Sequence, residues 1–307
     1  MVDRSAQYDA IIIGGGPAGL TAGIYTSRAR LSSLLIERGL IGGQIVNAGR
    51  LDNYPGFPEG ISGTELGELM HKQATKYGLG TVVAEVTSLK SRGKQKLVET
   101  TEGSFIARAV IIAGGCHRQK LGVPGEEEFM GKGISYCATC DGALFKGLPV
   151  AVVGGGNAAI TEALHLARFA SKVTVVHRRD QLRAVSILQE KAFSEPKIDF
   201  RWDSVVEQVE GRDLVNRIKL RNVKTGEEST LDISGVFVSI GLLPNTKYLK
   251  GFLPLDKTGA IITNSNMETE VAGVFAAGDI CLNSPRQVVT ACGDGAAAAI
   301  QATKNFT

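Results

Sequence analysis

The feature that most constrains this chain is a glycine-rich half-motif that occurs twice. The segment GGGPAGLTAGIYTSRARLSSLLIER begins at Gly14 and GGGNAAITEALHLARFASKVTVVHR begins at Gly154, so the two align without a gap at an offset of 140 residues. Each follows an apolar run, Tyr8–Ile13 or Pro149–Val153, of the kind that forms a strand buried on both faces. Each then reads as strand, tight turn, helix and second strand. A G-x-G-x-x-G turn alone is weak evidence. Placed between such a strand and such a helix, it is the fingerprint of a dinucleotide-binding β-α-β unit.

The repeat extends beyond the glycines. Thr81–Lys90, Lys96–Thr101 and Phe105–Ala113 alternate like short strands and close on Gly114–Gly115; Ile198–Val209, Arg217–Val223 and Val236–Ile240 do the same and close on Gly241. The fold class expected is α/β, with two Rossmann-like dinucleotide-binding domains that each carry a small β-meander. The last stretch holds an apolar strand, Val274–Ala277, then Gly278–Asp279 and a small-residue helix from Gln287 onward, with no glycine fingerprint of its own. It is expected to return and complete the first domain, which makes the second an insertion. Residues 1–117 with 246–307 then form one domain and residues 118–245 the other. Gly114–Gly125 and Gly241–Lys247, punctuated by glycine and proline, are the expected hinges.

Charge and cysteine usage exclude several classes. A formal net charge of +3 is too small to argue for nucleic acid or a membrane surface. No apolar run approaches a membrane span, and the opening MVDRSAQ lacks the apolar core of a secretory leader. Five cysteines are an odd number, and only Cys137 and Cys140 are closely spaced, which is not a secreted disulfide framework. A cytoplasmic protein with one special cysteine pair is the expectation.

The two glycine loops differ in a way that separates their ligands. In the first, Gly14 permits the tight turn, Gly16 lets the backbone approach a pyrophosphate, and Gly19 lets helix pack on strand, while the helix start offers N–H groups to phosphate. Glu37 ends the second strand, 23 residues after Gly14, placed to accept a hydrogen bond from a ribose 2′-hydroxyl. In the second loop Ala159 replaces the third glycine, and His177 stands where the first has Glu37, followed by Arg178, Arg179 and Arg183. A carboxylate there would repel a 2′-phosphate, whereas guanidinium groups bind one through charge-assisted bonds. The first site suits an adenosine with a free 2′-hydroxyl and the second suits NADPH. One dinucleotide being FAD and the other NADPH is the arrangement of a flavin reductase. Asp279, at the end of the strand VFAAGD, can then reach a ribityl hydroxyl.

Cys137-Ala138-Thr139-Cys140-Asp141 is compatible with a close disulfide, a thiolate activated at a helix start, or half a metal site. Only Cys116 and His117, adjacent rather than spaced as a second knuckle, are candidates to complete four zinc ligands, so no metal is expected. Asp141 can accept and return a proton as a thiolate forms or leaves; otherwise it caps a helix. Cys116, Cys281 and Cys292 read as ordinary small buried residues, and His71 and His165 carry no assigned role.

GGGPAG, CATCD, GGGNAA, HRRDQLRA, VFAAGD and RQVVTACGDGAAAA occur in the order found in low-molecular-weight thioredoxin reductases, and the resemblance covers essentially the whole chain. It implies a homodimer with one FAD per subunit and an NADPH domain inserted into the FAD domain. It implies that Cys140 lies against the flavin, that Cys137 attacks the disulfide of thioredoxin or a similar small dithiol protein, and that Asp141 is the acid/base. It also implies FAD contacts at Gly14, Gly16, Pro17, Ala18, Gly19, Glu37, Gly43, Gln44, Asn53, Gly278, Asp279, Arg286, Gln287 and Val288. NADPH falls to Gly154, Gly156, Asn157, Ala158, Ala159, His177, Arg178, Arg179 and Arg183, with the domains rotating between half-reactions. The chain departs from the family at Gly114-Gly115-Cys116, where Thr-Gly-Ala is common, and at the hinge GLLPN. A flavin reductase serving another disulfide partner, a ferredoxin- or flavodoxin-linked relative, and a zinc-stabilised nucleotide-binding protein are the alternatives. Ferredoxin- or flavodoxin-linked relatives generally lack the cysteine pair.

Overall fold

A computed structural model describes residues 7–48, 50–304 and 306; the opening residues 1–6, on which the leader expectation rests, lie outside it. The chain runs β1 (Gln7–Ile13), α1 (Pro17–Arg28), β2 (Ser33–Glu37), α2 (Gly63–Thr75), β3 (Gly80–Val83), β4 (Val86–Arg92), β5 (Gln95–Thr100), β6 (Gly103–Ile112) and β7 (Cys116–Arg118). It continues through β8 (Ile134–Ser135), α3 (Ala138–Asp141), β9 (Pro149–Val153), α4 (Asn157–Leu166), β10 (Lys172–Val176), α5 (Ser186–Ser194) and β11 (Ile198–Arg201). Then come β12 (Ser204–Gly211), β13 (Val215–Asn222), β14 (Glu228–Asp232), β15 (Gly235–Val238), β16 (Leu242–Pro244), β17 (Val274–Ala276) and α6 (Val288–Lys304). Two compact units result, one of residues 1–117 and 243–307 and one of residues 118–242. The second crossing falls before Asn245 because Asn245 is tied into the first unit. Its N–H donates to the carbonyl of Gly115 at 3.0 Å, and its Nδ2 donates to that of Gly114 at 2.7 Å.

The first unit is built on a sheet ordered β3-β2-β1-β6-β5-β4, with β17 pairing the end of β6. β3, β2, β1, β6 and β17 are parallel, while β4 and β5 fold back antiparallel as the meander. Burial on both faces explains the apolar runs. Ile12 packs with α1, α2 and α6, whereas Ile11 and Ile13 pack into a separate cluster with Val86, Leu89 and Phe105. Each such fully buried isoleucine contributes about 1.5–3 kcal/mol over an exposed one.

The second unit repeats the plan with the order β11-β10-β9-β15-β8, all parallel, and a separate antiparallel meander β12-β13-β14. Val150 and Val152 pack with α4, and Ala151 and Val153 pack with Val206, Val209 and Ile218 of the meander.

The expected strands occur, two of them broken in the fold, and one further strand joins them. Thr81–Lys90 is two strands, because its first residues join the parallel sheet beside β2 and the rest begin the meander. Ile198–Val209 is likewise broken, at Asp203, whose φ of 49° is left-handed and turns the chain between β11 and β12. The strand β14 carries no apolar alternation, since its residues are mostly exposed at the meander edge, and it was not anticipated.

α1 and α6 cross closely through small residues. A Cβ on Gly295 would stand 2.1 Å from the carbonyl oxygen of Ala18. Because the obstacle is backbone, Gly295→Val is expected to destabilise the protein by about 1–3 kcal/mol, read as a lower urea midpoint with an unchanged slope. An unchanged midpoint would show that the crossing relaxes freely.

Candidate active site

The glycine turn of the first unit is set by two close approaches. Gly14 holds φ at 110°, and a Cβ there would meet the Ala113 carbonyl oxygen at 2.3 Å; a Cβ on Gly19 would meet the Gly14 oxygen at 1.8 Å. The helix start is thereby pressed onto the strand end. Gly16, by contrast, faces open space, with only the Gly42 oxygen as near as 4.0 Å. As N-cap of α1 it supplies no side-chain acceptor, and Pro17 follows. The N–H groups of the first turn are left for an external anion, as a pyrophosphate requires. The second turn repeats this: Gly154 has φ 144°, Ala159 packs where the third glycine stood, and Gly156 caps α4 with nothing within 4 Å of its would-be Cβ.

Glu37 does more than wait for a ribose. Its Oε2 accepts from Gly15 N–H at 2.6 Å and its Oε1 from Gly39 N–H at 2.9 Å, so the carboxylate braces the glycine turn while keeping further lone pairs. Gly43 sits against Gly16, which a Cβ on Gly43 would approach to 2.9 Å, and begins the 3₁₀ turn that carries Gln44 on the surface. Gly278 lies against Ala18, again with 3.0 Å to a would-be Cβ. Asn53 Nδ2 donates to Gln287 Oε1 at 3.1 Å, joining two positions 234 residues apart in sequence. Arg286 is exposed with a left-handed φ of 60°, and Val288 opens α6. Asp279 accepts from the Ser284 hydroxyl at 3.1 Å. Sequence reasoning missed Asp294, whose Oδ2 accepts from Gly278 N–H at 3.2 Å; burial, and then the Asp279 charge, raise its carboxyl above the ordinary range. The repeat comparison was silent on it, because Asp294 belongs to the returning tail.

In the second unit His177 directly follows β10 and is buried beneath Gly155, whose would-be Cβ would stand 2.5 Å from the ring. Its Nε2 is buried with no hydrogen-bond partner among the described residues. Burial first, and then the Arg183 charge, hold the imidazole below its ordinary range. Arg178, Arg179 and Arg183 are exposed around it, and Arg183 N–H donates to the Gly155 carbonyl at 2.7 Å, which ties the basic loop to the glycine turn. Asn157 opens α4 and accepts from Val185 N–H at 2.9 Å, with Ala158 exposed beside it.

Cys137 and Cys140 are joined in a disulfide, with Cα atoms 5.3 Å apart. Cys137 is half-buried and Cys140 exposed. Cys137, not Asp141, is the N-cap of the short helix α3: its Sγ accepts from Cys140 N–H at 3.2 Å. Asp141 instead accepts from the Ser135 hydroxyl at 2.6 Å, a partner that sequence reading passed over because an isolated serine at a strand end carries no pattern. Among the described residues no group of three or more His, Cys, Asp and Glu is placed to hold a metal. Cys116 and Cys281 are buried and outside any disulfide, while Cys292 is half-buried with Tyr54 Oη at 3.8 Å.

Two glycine turns with open helix starts, and a joined cysteine pair between them in sequence, match a known family. The sequence profile of the pyridine nucleotide-disulphide oxidoreductases fits residues 8–295. The chain belongs to that family. It is 50% identical to the thioredoxin reductase of Bacillus subtilis (strain 168) over 293 residues, which is 95% of this chain and 92% of that protein. The crystal structure of thioredoxin reductase from Streptococcus pyogenes MGAS5005 superposes with a TM-score of 0.93 at 45% identity, over 98% of each chain. Thioredoxin reductase from Giardia duodenalis gives 0.94 at 35% identity, over 98% of this chain and 99% of that one. Among the described residues no helix is long and apolar enough to cross a membrane.

The lowered His177 proton affinity has a sign that can be tested. The neutral ring is favoured in the fold, so its contribution to stability is present above the ordinary imidazole range and is lost as pH falls below it. Between about pH 7.5 and about pH 5.5, the wild-type urea midpoint is expected to fall more steeply than that of His177→Asn. Parallel slopes would contradict the assignment.

Proposed function

We propose that the protein is an NADPH-dependent thioredoxin reductase that works as a cytoplasmic homodimer, carries one FAD per subunit, and reorients its two units between half-reactions. The observation that carries this reading is the joined Cys137–Cys140 pair in a chain with two dinucleotide turns. The identity to the Bacillus subtilis enzyme over nearly the whole of both chains supports thioredoxin as the disulfide partner.

In this reading the first unit holds FAD. The backbone N–H groups of Gly16, Ala18 and Gly19 would hold its pyrophosphate, Glu37 its adenosine ribose and Asp279 its ribityl chain, with Gly43, Gln44, Asn53, Arg286, Gln287 and Val288 completing the site. Bound FAD supplies acceptance of a hydride from NADPH and delivery of two electrons to a disulfide. The second unit holds NADPH, with its pyrophosphate at Gly156–Ala159 and its 2′-phosphate on Arg178, Arg179 and Arg183. His177, kept neutral, packs the loop without adding a charge of its own.

Cys140 is the thiol assigned to receive the electrons and Cys137 the one that attacks thioredoxin. The Cys137 thiolate attacks one sulfur of the partner disulfide and expels the other as a thiolate, forming a mixed disulfide. The Cys140 thiolate then attacks Cys137 Sγ, restores the Cys137–Cys140 bond and expels the second partner thiolate. Two electrons leave the enzyme dithiol, and the partner gains two electrons and two protons. In this reading Asp141 supplies and takes up a proton as these thiolates leave and form.

The loss of NADPH absorbance on addition of oxidised thioredoxin tests the reading directly. A fast thioredoxin-dependent rate is expected, and flavin reduction without thioredoxin turnover would send the search to another disulfide partner. Cys140→Ser is expected to retain FAD and lose disulfide turnover, and substantial residual turnover would break the assigned path. Arg178→Ala with Arg179→Ala is expected to weaken NADPH by roughly 100-fold, the scale of charge-assisted bonds to phosphate, and NADH far less. Equal losses for both nucleotides would remove the 2′-phosphate assignment.

A further inference from the structure

Ser135 ends the strand that leads into the cysteine pair, and it is 5% exposed. Its hydroxyl oxygen accepts from Cys137 N–H at 3.0 Å and lies 2.6 Å from Oδ2 of Asp141. The Cys137 carbonyl oxygen lies 3.5 Å away as a third neighbour. A serine hydroxyl has one proton to donate and two lone pairs. The Cys137 amide occupies one lone pair, so the proton has two destinations. With Asp141 ionised it goes to the carboxylate, the short charge-assisted contact. With Asp141 protonated, the carboxyl donates to the second lone pair and the serine proton turns to the Cys137 carbonyl. Both charge states of Asp141 are therefore hydrogen-bonded with only hydroxyl protons moving. That suits a group which must lose and regain a proton in every cycle.

We infer that Ser135 is a positioning residue for the proton transfers of disulfide exchange, holding the Asp141 carboxyl on the Cys137 turn in both of its charge states. The inference rests on the reading of Asp141 as acid/base. As the Cys137 thiolate attacks, the partner S–S bond breaks, the mixed disulfide forms, and the departing partner thiolate takes the Asp141 proton. The Asp141 carboxylate, now accepting from Ser135, takes the Cys140 thiol proton. The resulting Cys140 thiolate closes the Cys137–Cys140 bond and expels the second partner thiolate, which is protonated by solvent. The enzyme dithiol is oxidised by two electrons, the partner disulfide is reduced by two, and the proton that Asp141 gives up in the first exchange is regained from Cys140 in the second.

α4 packs against the Asp141 turn and brings the titratable groups Glu162 and His165, with Arg168 just beyond. Burial first, and then Arg168, hold His165 below the ordinary imidazole range. The helix α3 and the 3₁₀ turn Gly142–Phe145 add no other charged side chain. All of these groups are unchanged in the variants below, so a difference in pH profile between them reports on Ser135.

The test is the pH profile of kcat and KM for oxidised thioredoxin, measured on FAD-loaded full-length Ser135→Ala, Ser135→Thr, Asp141→Asn and the Ser135→Ala/Asp141→Asn double variant. Ser135→Ala is expected to lower kcat about tenfold, the loss of one hydrogen bond to a charged group, with KM within about twofold. Its pH profile is expected to depart from that of wild type, because the Asp141 carboxyl has lost its hydroxyl partner. Ser135→Thr, which keeps the hydroxyl, restores the wild-type profile. The double variant is no slower than Asp141→Asn. A Ser135→Ala profile that superposes on wild type, or losses that multiply in the double variant, would overturn the proposal while leaving Asp141 in place. A wild-type rate for Asp141→Asn would instead remove the acid/base reading on which it rests.

Discussion

The structure depends on how closely a helix start can be pressed onto the end of a parallel strand. At Gly14 and Gly19 there is no space for a Cβ, because backbone carbonyl oxygens stand about where it would be. That contact places the first turn of α1 directly beyond the carboxyl end of β1, with its N–H groups uncapped and facing outward. The same contact, with Ala159 in the third position, places α4 beyond β9. Both nucleotide turns follow from one steric rule, applied twice.

The two copies then diverge at one aligned position, Glu37 at the end of β2 and His177 directly after β10. Glu37 turns both carboxylate oxygens to backbone N–H groups of its own glycine loop and next turn. His177 offers no charge, because burial disfavours the imidazolium, and it leaves the positive potential to three arginines at the surface. A carboxylate at one turn and a ring beside three guanidinium groups at the other give the same scaffold two electrostatically different ends. The cysteine pair is supported differently. It sits on one short helical turn whose cap is Cys137 itself, so the chain around it is held by the Ser135 hydroxyl and by the β8 strand that precedes it.

Pattern and packing part company at a few particular elements. β9, β10, α1 and α4 were legible because continuous apolar runs and glycine turns leave few alternatives. β14 was invisible because an exposed edge strand needs no apolar alternation. The long runs read as single strands at Thr81–Lys90 and Ile198–Val209 are broken in the fold. Periodicity continues across a turn when both flanking strands are half-buried, and only the change of partner strand reveals the break.

By itself, the sequence determined the duplicated α/β plan and the close spacing of Cys137 and Cys140, and it offered the chemistry of the two ribose positions as an expectation. All of these rest on local rules: steric demand at glycine, burial of strand faces, and charge next to a phosphate site. Only the tertiary structure decided that Asn53 meets Gln287, that Asp294 braces the turn carrying Asp279, and that Ser135 stands between Cys137 and Asp141. The first contact joins positions 234 residues apart, the second bridges the 16 residues between Gly278 and Asp294, and the third depends on the angle at which a strand enters a four-residue helix. A side chain's hydrogen-bond partner is set by direction as well as by distance along the chain, and direction exists only once the backbone has folded.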